Sequence, residues 1–199
     1  WKNEFPEIFN KGGFDIIIGN PPYVFARDNI SEKIKDYYNE NYVSAEYQLN
    51  TYLLFIERSI DIIKDSSSFG LIIPNAWLMV SSAKKLRELI LKKCEIDEII
   101  NLAGYSFDGV SVETIIIIAS KTQKNNNSIK VLLSEGKEFR YSHSRRQKDF
   151  EKNEGYEFKV FSNETSVALT KKIKLNSEYL DNLVLIKAGL QAYEKNKGN

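Results

Sequence analysis

"FDIIIGNPPYV", residues Phe14 to Val24, decides the fold. Ile16, Ile17 and Ile18 form an apolar run of strand type without polar alternation. Such a run is expected where both faces of a strand are covered, as in the middle of a parallel sheet. It stops at Asn20-Pro21-Pro22-Tyr23. The strand therefore ends on a rigid, donor-poor tip that offers one amide and one aromatic ring.

Upstream, residues 1–13 are polar and turn-rich, with Gly12-Gly13 leading into the strand. Downstream, Phe25 to Gln48 reads as a long Tyr-rich connection with one short helix around Ser31 to Asn39. "TYLLFIERSIDIIKD" (51–65) repeats Leu53, Ile56, Ile60 and Ile63 at helical spacing. "SSSFGLIIP" predicts a loop and a second buried strand, Phe69 to Ile73. "SSAKKLRELILKKC" predicts a helix capped by Ser81 or Ser82, with Leu86, Leu89 and Ile90 facing inward. "EIDEIINLA" and "VETIIIIASK" are the next strands, and the short loop "GYSFDGVS" between them demands an antiparallel pair. The order predicts an α/β fold, its sheet mostly parallel with one antiparallel strand. Beyond the polar breaker 121–128, "IKVLL" and "GYEFKVF" suggest strands and "ETSVALTKKIKL" a helix. A boundary is expected between about Asn176 and Lys187, giving a main domain over 1–175 and the start of another over 176–199.

The chain is 42% hydrophobic and 28% charged, which suffices for an ordinary core. A net charge of +1 supplies no global field toward nucleic acid or membrane. No run is long enough for a membrane-spanning helix, and no signal peptide opens the chain. The single cysteine, Cys94, excludes an internal disulfide and reads as a packing residue. His143 is the single histidine, which argues against a zinc site, and no metal site is expected.

Ligands of open parallel sheets bind beyond the carboxyl ends of the strands, where Asn20 to Tyr23 falls. The Asn20 side-chain carbonyl and the Pro21 peptide carbonyl are two acceptors beside the flat ring of Tyr23. That combination suits a planar, conjugated –NH2 such as the amino group of adenine. Accepting both N–H hydrogens out of plane localises the nitrogen lone pair, which can then attack the methyl of a sulfonium donor. No general base needs to act first, so alignment and electrostatic preorganisation carry the rate. The plainer reading of the tip is a strand-ending turn, since Asn-Pro and Pro-Pro are common loop dipeptides.

"FDIIIGNPPYV" resembles motif IV of the S-adenosylmethionine-dependent amino-methyltransferases. In the same order, "LNTYLLFIERSIDIIKD", "SFGLIIPNAWL" and "YSFDGVSVETIIIIASK" resemble the following segments of gamma-class N6-adenine DNA methyltransferases of the TaqI-like group. "IKAGLQAYEKNKG" resembles the opening of the target-recognition domain in type IIG restriction–modification enzymes. The resemblance implies the C-terminal half of a Rossmann-like methyltransferase sheet, in which Asn20 and Pro21 bind the target amine and Pro22 completes the motif. It implies that Tyr23 stacks on one face of an adenine flipped out of double-stranded DNA, and that Phe107 closes on the other. Phe107 also reads as a core anchor at the start of its strand. A cytoplasmic location in a bacterium or archaeon follows from the same likeness. Where the family carries an Asp ahead of "LY", this chain reads Asn50-Thr51-Tyr52.

The family's Gly-rich S-adenosylmethionine loop has no counterpart here. Gly12-Gly13 and Gly104 to Gly109 have the wrong spacing and position. The resemblance implies that the loop precedes Trp1 in a longer chain, that Asn20 touches only the donor's edge, and that this stretch alone transfers no methyl. The first strand would then keep an unpaired sheet edge. Arg140, Arg145, Arg146 and Lys148 in "RYSHSRRQK" are candidates for DNA phosphate contacts, against a solvated loop cancelled by the acidic run that follows. Two alternatives stand beside DNA methylation: the same tip acting on protein glutamine or RNA amines, and a non-catalytic DNA-recognition module. The continuation from Leu183 disfavours the first, and the intact tetrad disfavours the second.

Overall fold

Pro21 and Pro22 remove two backbone donors in succession, and the strand before them ends accordingly: β1 covers Phe14–Gly19. The computed structural model describes residues 1–24, 30–45, 50–102, 113–122, 126–136 and 138–185. A short helix, α1 (Pro6–Phe9), precedes β1 with proline at its first position, and α2 (Glu32–Asn41) follows. α3 (Thr51–Ile62) turns Leu53, Ile56 and Ile60 into the core. The helical spacing carried this element to Asp65, but Ile63 already pairs with Phe14 and opens β2 (Ile63–Pro74). Consecutive β-branched residues sit as well in a strand as in a last helical turn, so the sequence period does not mark this junction.

α4 (Lys84–Lys93) begins after a 3-10 turn at Ser81–Ala83 and has no side-chain cap, so the expected Ser81 or Ser82 cap does not form. β3 (Glu95–Asn101), β4 (Thr114–Ser120), β5 (Ser128–Glu135) and β6 (Glu138–Arg146) complete the strands described. They form one six-stranded sheet in the order β1-β2-β4-β3-β5-β6. β1 is parallel to β2 and β3 to β5, whereas β4 runs against both its neighbours, as the short β3–β4 loop requires.

The sheet departs from expectation in its last strands. "EFRYSHSRR" is not a loop but β6, which returns antiparallel along β5, so the sheet has two reversed strands, β4 and β6. "GYEFKVF" is not a strand. Gly155 and Tyr156 both take positive φ in a 3-10 turn, which is incompatible with extension, although Phe158 and Val160 are buried.

Phe69, Leu71, Ile73, Ile115, Ile117, Ala119, Ile96 and Ile99 form the sheet's share of the core, against Ile56, Ile60, Leu86 and Ile90 of the helices. Full burial of such a side chain contributes roughly 1.5–3 kcal/mol. Among the described residues, β1 does not have the two covered faces that its unbroken run predicts. It lies at the sheet edge, and Ile16 and Ile18 are 67% and 84% exposed while Ile17 packs inward. No described element covers that outer face. Contacts divide the chain into Trp1–Phe161 and Ser162–Asn199. The second unit holds α5 (Glu164–Leu175), capped by Asn163, and α6 (Leu180–Leu183). Among the described residues, no helix is long and apolar enough to cross a membrane.

Candidate functional site

Asn20 to Tyr23 emerge at the carboxyl end of β1, beside the carboxyl end of its parallel neighbour β2. Asn20 and Pro22 are exposed, Pro21 is buried and Tyr23 half-buried. The Tyr23 hydroxyl lies 2.9 Å from Asn20 Oδ1 and 2.9 Å from the Ile72 carbonyl of β2. A hydroxyl has one proton, so these two acceptors compete for it. Asn20 Oδ1 can be released to another donor without leaving the Tyr23 proton unpaired. The Tyr23 ring meets the Tyr52 ring edge-on, with centroids 6.1 Å apart. Burial pushes the Tyr23 hydroxyl above the usual phenol range, so it remains a donor at neutral pH. Among the described residues, no donor reaches the Pro21 carbonyl.

The amino end of α3 holds the other side of the tip. Thr51 Oγ1 donates to the Pro22 carbonyl at 2.6 Å and accepts from the Val24 amide at 3.2 Å. The Thr51 amide, one of the donors a helix start leaves unpaired, reaches the Val24 carbonyl at 3.0 Å. Asn50 is the N-cap, its Oδ1 accepting from the Tyr52 amide at 3.4 Å. Asp and Asn cap helices about equally well, which accounts for either residue at this position. Asn20, Pro21, Pro22, Thr51 and Phe55 share the wall of an open cleft of about 1090 Å³. At the end of β2, Asn75 donates to Glu113 through both its side chain (2.8 Å) and its amide (2.9 Å).

Thr51, Ile72 and the Asn75–Glu113 pair were not legible as site residues. Only a hydroxyl directly after an N-cap signals Thr51 in the sequence. Phe107 lies outside the described residues, as does all of "IKAGLQAYEKNKG". The basic residues are not brought to the tip. β6 is at the opposite edge from β1, roughly 24 Å away at about 4.8 Å per strand. Arg145 and Arg146 pair with the first residues of β5, at the end of the sheet away from the tip. Arg140 is bound to Glu135 at 2.7 Å, and Arg145 lies over the Phe150 ring. Cys94 is buried, and its thiol is pushed up to about 12 by that burial, which fits packing rather than nucleophilic use. Gly13 turns at φ 125, and a Cβ there would stand 2.4 Å from the Ile62 carbonyl. Gly12-Gly13 thus serves a close backbone approach, and these glycines do not fit a donor cradle.

A model of the Eco57I restriction-modification methylase family matches residues 1–107. The chain is 33% identical over 118 residues to the type II restriction enzyme and methyltransferase RM.Eco57I of Escherichia coli, covering 58% of this chain and 12% of that protein. It is 25% identical over 130 residues to the type II methyltransferase M.BstVI of Geobacillus stearothermophilus, covering 65% and 22%. Those shares mean that it spans well under a third of either relative. The type IIL restriction-modification enzyme MmeI, solved in complex with DNA, superposes with a TM-score of 0.52 at 16% identity, over 74% of this chain and 20% of that one, a likeness of fold.

Proposed function

The chain belongs to the Eco57I restriction-modification methylase family, and from that premise we propose that its whole protein is a gamma-class, site-specific DNA methyltransferase acting on adenine N6. The observation that carries the reading is the pair of acceptors at the β1 tip: Asn20 Oδ1, releasable from Tyr23, and the Pro21 carbonyl, which no described donor engages. Asn20 and Pro21 accept the two N–H hydrogens of the amine and draw the nitrogen toward a tetrahedral shape. Tyr23 offers its ring to one face of a flipped adenine, and Phe107 is assigned to the other. S-adenosylmethionine supplies the methyl on a sulfonium. After transfer, the displaced amine proton leaves to water, so no basic side chain is required at the tip.

The donor's holding residues, apart from an edge contact at Asn20, are assigned to parts of the whole protein outside this chain. So is a target-recognition domain continuing from 176–199; RM.Eco57I, by its name, joins a restriction enzyme to its methyltransferase. The substrate is double-stranded DNA in the cytoplasm of a bacterium or archaeon. Arg140, Arg145, Arg146 and Lys148 are weak candidates for its phosphates, given their distance from the tip.

The test incubates the whole protein with methyl-labelled S-adenosylmethionine and mixed-sequence DNA, then digests to nucleosides. Label in N6-methyladenine is the expected result. Label in protein or RNA instead moves the substrate and refutes the DNA reading, and DNA binding without transfer refutes the enzyme reading.

A further inference from the structure

We infer that Thr51 is a positioning residue of the methyl-transfer site, its hydroxyl fixing the peptide on each side of Tyr23; this rests on the amine-methyltransferase reading above. Two prolines leave the tip poor in donors of its own. The Tyr23 backbone must hold one orientation if its ring is to present a face to a base while Asn20 and Pro21 meet the amine. Thr51 Oγ1 meets that need with both of its capacities. It gives its proton to the carbonyl before Tyr23, on Pro22, at 2.6 Å. It takes the amide proton after Tyr23, on Val24, at 3.2 Å. The Thr51 amide closes the clamp on the Val24 carbonyl at 3.0 Å. Tyr23 is thereby held at its backbone by α3 and at its hydroxyl by β2, through Ile72. Thr51 is half-buried and lines the cleft beside Asn20, Pro21 and Pro22, so its hydroxyl sits at the site rather than in the core. It touches no reacting atom and acts through Pro22 and Tyr23.

The isosteric Thr51→Val removes the hydroxyl and keeps the amide, and Thr51→Ser restores the hydroxyl without the methyl. One net hydrogen bond corresponds to about tenfold in rate. In the whole protein, Thr51→Val is expected to lower kcat by roughly tenfold or more, with KM for S-adenosylmethionine and the melting temperature nearly unchanged. Thr51→Ser is expected to recover most of kcat. With 2-aminopurine as target base, quenching on stacking should also be weaker in Thr51→Val than in wild type. Wild-type kcat in Thr51→Val, while Asn20→Ala is inactive, overturns the inference and leaves the reaction standing. A fall in melting temperature that accounts for lost activity, unrelieved by Thr51→Ser, makes the residue merely structural and also overturns it. If wild-type protein transfers no methyl to any planar amine, the reading and the inference fall together.

Discussion

Tyr23 is pulled two ways by one proton, toward Asn20 Oδ1 and toward the Ile72 carbonyl. Tyr23→Phe keeps the ring and deletes the one donor that the two acceptors share, so stacking should survive while the ring's orientation loosens. About a tenfold loss of kcat is expected, against a loss of hundredfold or more for Tyr23→Ala, measured as steady-state transfer to DNA. Equal losses in the two variants would show that the hydroxyl, not the ring, does the work. The tetrad itself was legible in the sequence because its chemistry resides in the residue types: prolines without donors, an amide, a ring. Thr51 was not, because its role depends on where the Pro22 carbonyl arrives after a connection of more than two dozen residues. No local pattern encodes that meeting.

Helix and strand ends were harder to read than their middles. β6 was missed because an edge strand needs no apolar face, and its alternation of Phe139 and Tyr141 with charged and polar residues reads as a loop. The three isoleucines of β1 suggest two covered faces, and the described residues cover only that of Ile17. The start of α3 gives a test: Asn50→Asp should leave stability near wild type, and Asn50→Ala should lower it by about 1 kcal/mol in urea unfolding. An unchanged midpoint for Asn50→Ala would remove the cap from the account. Arg87 ties α4 to the turns around it, donating to the carbonyls of Trp77 (2.6 Å), Val80 (2.8 Å) and Gly155 (2.8 Å) while 1% exposed. Arg87→Ala strips the buried Trp77 carbonyl and the part-buried Val80 and Gly155 carbonyls of their donor and is expected to cost about 3 kcal/mol or more.

Over the whole molecule, burial raises the Cys94 thiol from 9.0 to about 12 and also raises the hydroxyls of Tyr23 and Tyr52. An acid whose folded pKa is raised contributes stability that is complete below its unfolded pKa and lost as pH climbs toward the folded one. Stability should therefore lose ground above about pH 9, first through Cys94 and then through the tyrosines. Cys94→Ala should show a shallower decline between pH 9 and 10, and a slope identical to wild type would discount the thiol. Gly12-Gly13 packs against the chain itself, so these 199 residues alone should give no binding heat with S-adenosylmethionine. Tight binding by calorimetry would place a donor site within these residues and contradict that expectation. The α/β order, the tip's place at a strand's carboxyl end and the unpaired edge of β1 were legible, whereas the second reversed strand, β6, emerges only from pairing.

The most direct measurement is the single-turnover rate of methyl transfer to adenine in DNA by the whole protein, for wild type and Asn20→Ala. Loss of one aligned acceptor from the reacting amine is expected to slow Asn20→Ala by about 10²–10³-fold. Equal rates for Asn20→Ala and wild type would contradict the assignment of the reaction to the β1 tip.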